Sequence, residues 1–388
     1  MQSAGRIDGT MRTTIGIFGA TNSGKSTLVN MLTGQNVSIV SEVAGTTTDP
    51  VAKTIELNGV GPCVIIDTAG YDDTTVLGGM RVSKTKEVLR RCDIALFVIS
   101  SRMEKKEIDE AMKWAEMIRQ RVPQTIVVKN YFEGRGNDDE MWVNAHTGEN
   151  RERLLREIGF TRERVKDERT IVTHLAEPGD TVLLVMPQDT QAPAGRLILP
   201  QVQTIRELLD YGCVTVCTNT DGMEQSLKAL AKKPDLIITD SQAFKYVYEH
   251  KPEGTPLTSF SVLMARWKGD ISAFIEGTKA FARLNAKSKV LIAEACTHAP
   301  LAEDIGREKI PALIRSRIDP DIRFDIVSGK DWTENLTDYD LVIHCGGCMI
   351  NRAEMMARIK SAQEAGVAIT NYGVAIAYFT KILDKIIW

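Results

Sequence analysis

The segment Gly19-Ala20-Thr21-Asn22-Ser23-Gly24-Lys25-Ser26 constrains this chain more than any other. It fits the pattern GxxxxGK[ST]. An apolar run, TTIGIFGA, leads into it, and a helical pattern, SGKSTLVNMLTG, leads out. A strand, a glycine-bearing turn and a helix in that order make a cradle for phosphate. Gly19 and Gly24 let the backbone curl with its N–H groups inward, and the helix start adds a field that favours anions. Lys25 brings a cation to the β- and γ-phosphates, and Ser26 offers a hydroxyl to Mg²⁺.

Strand and helix patterns alternate nearly throughout the chain, which is the mark of parallel α/β domains. At 388 residues the chain exceeds one core. Three units are expected: a phosphate-loop domain over 1–168, then two small doubly wound parallel-sheet domains over 169–284 and 285–388. A charged stretch, RERVKDERTIVTH, reads as the first linker. The runs TVLLVMPQ, CVTVCT and DLIITDS are the strands of the second unit. KVLIAEAC, IRFDIVSG and LVIHCGG are those of the third, and VAITNYGVAIAYF begins as one more.

Composition narrows the function. Lysine plus arginine is 48 and aspartate plus glutamate is 51, a net charge of −3. That balance argues against a nucleic-acid coat or an anionic membrane surface as partner. No apolar run reaches the roughly 18 residues of a membrane helix, and the first residues lack the apolar core of a secretory signal. Seven cysteines are too few for a disulfide scaffold. A reduced, cytoplasmic protein is the expectation.

Two further motifs accompany the phosphate loop. Asp67-Thr68-Ala69-Gly70 ends an apolar strand, PCVIIDTAG. Asp67 can hold Mg²⁺ through water, and the Gly70 N–H can meet a γ-phosphate. Gly45-Thr46-Thr47-Thr48-Asp49 lies between the two. The three elements in this order resemble GTPases of the TrmE–Era class. The resemblance implies GTP as substrate and Thr47 as the switch threonine that closes onto Mg²⁺. It also implies a nucleotide-binding set of Gly19, Asn22, Ser23, Gly24, Lys25, Ser26, Thr27 and Gly70. Lys25, Asp67 and Thr47 would carry the chemistry. In potassium-stimulated members of the class, the position of Asn22 helps to bind K⁺; the plain alternative is a loop-forming asparagine.

The guanine-reading motif departs from the family pattern N-K-x-D. The corresponding strand ends Val127-Val128-Lys129-Asn130-Tyr131-Phe132, with no aspartate in register. Guanine selection then loses its main hydrogen-bond acceptor. Asn144-Ala145-His146-Thr147-Gly148 resembles the class's final motif, with asparagine in place of serine. No glutamine or arginine finger follows Asp67-Thr68-Ala69-Gly70, only Tyr71 and Asp72, so slow hydrolysis is expected.

The second strong signal is Cys296-Thr297-His298 with His344-Cys345-Gly346-Gly347-Cys348. Both follow apolar strands. If those strands are parallel neighbours, their carboxyl ends open onto one crevice. Gly346-Gly347 lets the chain turn, so that Cys345 and Cys348 reach one centre and N–H groups face sulfur. Structural Zn²⁺ would take four ligands, such as the three cysteines and a histidine. A [4Fe–4S] cluster would take three thiolates and leave one iron with an exchangeable or non-cysteine ligand. Ligand softness alone leaves both open.

CxH followed by HCxxC, downstream of a phosphate-loop GTPase domain, resembles the HydF family of [FeFe]-hydrogenase maturation GTPases. Ala192-Pro193-Ala194-Gly195-Arg196-Leu197-Ile198-Leu199-Pro200-Gln201 and Asn371-Tyr372-Gly373 are similar to further stretches of that family. The resemblance implies a GTPase domain, a dimerisation domain and a domain binding a [4Fe–4S] cluster through Cys296, Cys345 and Cys348. His298, His344, Glu303 and Asp304 are then candidates for the fourth position. It also implies a homodimer that carries a diiron precursor to apo [FeFe]-hydrogenase, with HydE-like and HydG-like radical-SAM maturases as partners. The rival reading is a zinc-stabilised regulatory GTPase acting as an RNA- or protein-binding module.

Cys63, Cys92, Cys213 and Cys217 adjoin apolar strands and read as core. Met355 and Met356 read as packing against a sheet. The middle unit shows no catalytic constellation, which suits an interaction role.

Overall fold

The computed structural model describes residues 12–34, 51–71, 85, 87–165, 169–187, 197–295, 305–329, 332–333 and 335–388. Two compact units result, Met1–Glu168 and Arg169–Trp388. The fold is α/β, with a mostly parallel sheet behind the phosphate loop and two all-parallel sheets in the second unit.

In the first unit the chain runs β1 (Thr13–Gly19), α1 (Lys25–Thr33), β2 (Val51–Leu57), β3 (Gly61–Asp67), β4 (Ile94–Ser100), α2 (Lys105–Arg119), β5 (Thr125–Asn130), β6 (Trp142–Val143) and α3 (Arg151–Val165). The sheet order is β2-β3-β1-β4-β5-β6, and only β2 runs antiparallel, along β3. Strands β1 and β4 are buried on both faces, which is why they read as continuous apolar runs without alternation. One face of the sheet packs on Leu28 and Leu32 of α1 with Leu154 and Ile158 of α3. The other packs on Ala111, Ala115 and Ile118 of α2. The charged stretch read as a linker is helical in its first residues, because α3 continues to Val165.

The second unit holds two four-stranded, all-parallel sheets. The first is built from β7 (Thr181–Val185), α4 (Leu199–Tyr211), β8 (Val214–Thr218), α5 (Met223–Ala229), β9 (Leu236–Thr239), α6 (Phe244–His250) and β10 (Leu257–Ser259), in the order β10-β9-β7-β8. Two helices follow, α7 (Phe260–Lys268) and α8 (Ile271–Gly277). The second sheet uses β11 (Lys289–Glu294), α9 (Ile310–Arg317), β12 (Arg323–Ser328), β13 (Leu341–His344), α10 (Arg352–Glu364) and β14 (Ala368–Asn371), in the order β12-β11-β13-β14. The chain closes with α11 (Tyr372–Phe379).

Neither β10 nor α7 is among the elements expected from the sequence. Phe260, Val262, Leu263, Met264, Ala265 and Trp267 are all buried, so α7 has no polar face to set a period. The two sheets share one core: Leu183 and Ile237 of the first belong to the same apolar cluster as Leu291, Val342 and Ile369 of the second. Met355 joins that cluster, with Met356 packed against it. Cys63, Cys92 and Cys213 are buried as expected, but Cys217 is exposed. The reason is topological: among the described residues β8 lies at a sheet edge, with β7 as its only neighbour.

Candidate functional site

The phosphate loop is shaped by its own residues. Gly24, at φ 92°, occupies the left-handed region, and a Cβ there would strike the Asn130 amide. Asn22 is also left-handed, at φ 60°, a conformation that asparagine tolerates better than most residues. Lys25 is buried, and its Nζ donates to the carbonyls of Gly19 at 3.2 Å and Ala20 at 2.6 Å. Ser26 Oγ donates to Asp67 Oδ2 at 2.8 Å, which joins the loop to the end of β3. Burial raises the Asp67 pKa, while the Ser26 hydroxyl and the Lys25 charge pull it down. Asp67 Oδ1 and Ser23 Oγ are buried and, among the described residues, have no hydrogen-bond partner. The Ser26 hydroxyl beside a carboxylate whose second oxygen is open is a donor set that Mg²⁺ takes, so Ser26 and Asp67 fit a Mg²⁺–nucleotide. Thr27 is half-buried on the first turn of α1, and Gly70 lies three residues beyond β3. Thr47 lies outside the described residues.

A cavity of about 960 Å³ opens on this loop, lined by Asn22, Lys25, Ser26, Tyr71, Arg102 and Phe132 among others. Tyr71 is held by stacking, 6.0 Å from Phe97 and 5.1 Å from Trp114 between ring centroids. That packing assigns the residue after Gly70 to the apolar layer under α2. Arg102 lies over the Phe132 ring at 4.3 Å.

Asn130 is a site residue that the sequence reading passed over. It is buried at the end of β5; its Nδ2 donates to the Ser23 carbonyl at 3.1 Å, and its Oδ1 accepts from Ala145 N–H at 3.1 Å. One amide thus ties the phosphate loop to the loop at 144–148. The available signal was a polar residue closing an apolar strand. Asn144 Oδ1 accepts from the N–H groups of His146 and Thr147, both at 3.1 Å, so it serves the turn of its own loop.

In the second unit β11 and β13 are parallel neighbours, with Ala293 opposite His344. Their carboxyl ends meet at the point where the sheet's strand order reverses, the usual place for a ligand crevice. Cys345 Sγ accepts from Ala295 N–H at 3.1 Å and Gly347 N–H at 3.4 Å. Ala295 is the residue before Cys296. Backbone N–H groups on sulfur suit a thiolate that binds metal. Cys345 and Cys348 are both half-buried. Of the two glycines between them only Gly347 is left-handed, at φ 61°; a Cβ there would strike Met355. Cys296, His298, Glu303 and Asp304 lie outside the described residues.

His344 is fully buried. Its Nδ1 faces the Cys345 carbonyl at 2.8 Å and its Nε2 faces Arg358 Nη1 at 3.0 Å. Burial, then the Arg358 charge, push its pKa down to about 3. The neutral ring donates through Nδ1 and accepts through Nε2. Coordination by His344 would require one of these bonds to break.

Lys268 was also missed. It ends the apolar helix α7 and is 4% exposed. Its Nζ donates to the carbonyls of Gly347, Cys348 and Ile350, each at 3.0 Å. Burial lowers its pKa to about 8, and Cys348 and Cys345 oppose that shift. Three acceptors match the three donors of an ammonium, whereas a neutral amine has two.

Three family models match the chain. "50S ribosome-binding GTPase" matches residues 14–130. "Hydrogen maturase F dimerization domain" matches 171–269, and "Hydrogen maturase F tetramerization domain" matches 272–388. The tRNA modification GTPase MnmE of Thiobacillus denitrificans is 32% identical over 154 residues, 38% of this chain and 34% of that protein. GTPase Der of Rhizobium etli is 36% identical over 131 residues, 33% of this chain and 27% of that protein. The chain thus spans about a third or less of the length of these curated relatives. Among solved structures, Aquifex aeolicus Era bound to GDP.AlF4− aligns at 19% identity and a TM-score of 0.32, over 57% of this chain and 99% of that one. The G domain of the T. maritima FeoB iron transporter aligns at 16% and 0.30, over 39% and 99%. Scores this low carry no argument. The family models do: one covers the P-loop GTPase domain, and the two maturase models together take in more than half of the residues, so the chain belongs to the HydF family of hydrogenase maturation GTPases.

Proposed function

We propose that this protein is a GTP-hydrolysing scaffold that binds a [4Fe–4S] cluster and carries a diiron precursor to apo [FeFe]-hydrogenase. The observation that carries the reading is the junction of β11 and β13, where Ala295 N–H rests on Cys345 Sγ beside the CxxC turn. Cys296, Cys345 and Cys348 hold the cluster in this reading. The fourth position falls to His298, Glu303, Asp304 or the cargo, since His344 is engaged through both nitrogens. The cluster supplies an iron able to exchange its outer ligand, and so a docking post for cargo.

In the first unit the phosphate-loop N–H groups and Lys25 hold the β- and γ-phosphates. Ser26 and Asp67 hold Mg²⁺, joined by Thr47, and Gly70 meets the γ-phosphate. Asn22 stands where K⁺ would assist. Hydrolysis is slow, because Tyr71 is packed away under α2 rather than set to position water. The domains divide at 168/169 and 284/285, the middle one pairs two copies, and HydE-like and HydG-like maturases supply the cargo in the cytoplasm.

Anaerobic reconstitution with iron and sulfide, followed by metal analysis and electron paramagnetic resonance, tests the reading. About four irons per chain and a reducible cluster are expected. Zinc with no reducible cluster would overturn it in favour of a zinc-stabilised regulatory GTPase.

A further inference from the structure

Lys268 belongs to the segment that precedes the second sheet, yet all three of its hydrogen bonds go to the CxxC loop. Arg352, just beyond that loop, answers in the opposite direction. Its Nη1 donates to the carbonyl of Trp267 at 3.2 Å and to that of Gly269 at 2.8 Å. Arg352 therefore grips the backbone on either side of Lys268, and Lys268 grips three carbonyls of the stretch that leads into Arg352. The end of α7 and the stretch 347–352 form a reciprocal clasp of five hydrogen bonds.

Two consequences follow from elementary geometry. A trans peptide points its C=O and the next N–H in opposite directions. Tying the carbonyls of Gly347 and Cys348 to one ammonium therefore turns the following N–H groups away from Lys268. A buried cation also sets a local field, because little water lies between it and its neighbours to screen it. The Lys268 charge acts on both Cys345 and Cys348.

We propose that Lys268 is a positioning residue for the metal site: it fixes the curl of the CxxC loop and places one positive charge beneath the two thiolates. This rests on the reading of Cys345 and Cys348 as cluster ligands. The site is then a joint product of two segments of the second unit, and α7 is its floor. A reduced cluster carries one more negative charge than an oxidised one, so the cation favours reduction.

The test uses the full-length chain with Lys268→Met, which keeps length and apolar bulk, and Lys268→Arg, which keeps the charge. In the metal-free protein, Lys268→Met should speed amide exchange over residues 345–351 at least tenfold. After reconstitution it should lose iron to a chelator at least tenfold faster than the wild type. The midpoint potential of what remains should move to more negative values, and Lys268→Arg should restore it at least in part. Wild-type exchange, iron retention and potential in Lys268→Met would overturn the proposal. If Lys268→Met does not fold, Arg352→Gln removes the reciprocal arm: faster exchange and iron loss support the clasp, and unchanged rates overturn it. If the wild type itself takes up no iron, the cluster reading fails, and the metal-free exchange still decides whether Lys268 positions the loop.

Discussion

The two sheets of the second unit are topological twins. Counted along the chain, each has the strand order 2-1-3-4, all parallel. In each, the fourth strand runs straight into a capped helix: Ser259 accepts from Val262 N–H at the start of α7, and Asn371 accepts from Val374 N–H at the start of α11. The two helix starts also meet, where the Asn371 amide donates to the Ser261 carbonyl at 3.4 Å. Their crevices nevertheless differ. Between β7 and β9 the described residues are stitched by hard groups: Thr239 Oγ1 donates to the Val185 carbonyl at 2.8 Å, and Asp240 accepts from Gln201 at 3.0 Å. Between β11 and β13 the corresponding end carries sulfur with N–H groups directed at it. Topology opens a crevice in both sheets; residue type decides what chemistry it can hold.

Removing sulfur from one twin and then from the other is the most severe test of that contrast. Cys345→Ala should abolish cluster absorption and lower bound iron by more than tenfold, while GTP hydrolysis stays near wild type. Cys217→Ala, on the exposed edge of the first sheet, should leave iron content unchanged. Iron loss in both variants, measured after identical reconstitution, would mean that the first sheet also contributes ligands.

A smaller effect tests whether the twins are separate bodies. Helix α8 packs against β14 so closely that a Cβ on Gly277 would strike the Ile369 carbonyl oxygen. Backbone cannot yield as a side-chain tip can. Gly277→Ala should destabilise the second unit by about 3 kcal/mol, at the upper end for overpacking. Because one apolar core spans both sheets, they should lose structure together. Urea unfolding followed by amide exchange checks this: loss of protection in the second sheet alone would make the sheets independent. Gly346→Ala supplies the contrast, since a Cβ there meets nothing within 4 Å. Its effect should stay within about 0.5 kcal/mol.

Legibility in the sequence followed the range of the interactions. The phosphate loop is local, so Gly24, Lys25 and Ser26 could be read from spacing, and so could β1 and α1 on either side. Strands buried on both faces announce themselves as apolar runs, and most of the parallel sheets could be traced that way. What escaped depended on distant partners. Asn130 looks like an ordinary strand end until Ser23 and Ala145 are placed on either side of it. Lys268 looks like a solvated helix end until the carbonyls of the CxxC loop close over it. The reading of Cys217 as core failed because a strand's place in a sheet, edge or centre, is not written in the strand.

The mildest test concerns protons, and it again sets one twin against the other. His344, at the end of β13, is fully buried, whereas His174 and His250, the described histidines of the second unit that precede its second sheet, are exposed. The groups facing His344 are the Arg358 guanidinium and the Cys345 carbonyl, with the Trp332 ring 6.2 Å away. Arg358 is itself paired with Glu354 at 2.8 Å. Protonation would bring two cations to 3.0 Å in a dry site. The folded state holds this pKa at about 3, while the unfolded chain restores the ordinary value of 6.5. The folded pKa is the lower one, so the stabilisation is complete above pH 6.5 and is lost as pH falls towards 3. Between pH 6.5 and 5, before most carboxylates titrate, His344 should cost the metal-free second unit up to about 2 kcal/mol, the linkage limit for one group. His344→Asn should be less stable at pH 8, because the bond to Arg358 is weakened, and should lose less than the wild type across that window; what it still loses is the share of His174, whose pKa burial and then the Arg266 charge lower to about 4. A wild-type curve that runs parallel to the variant's, measured by urea unfolding at each pH, would show that the imidazole shares its site with water.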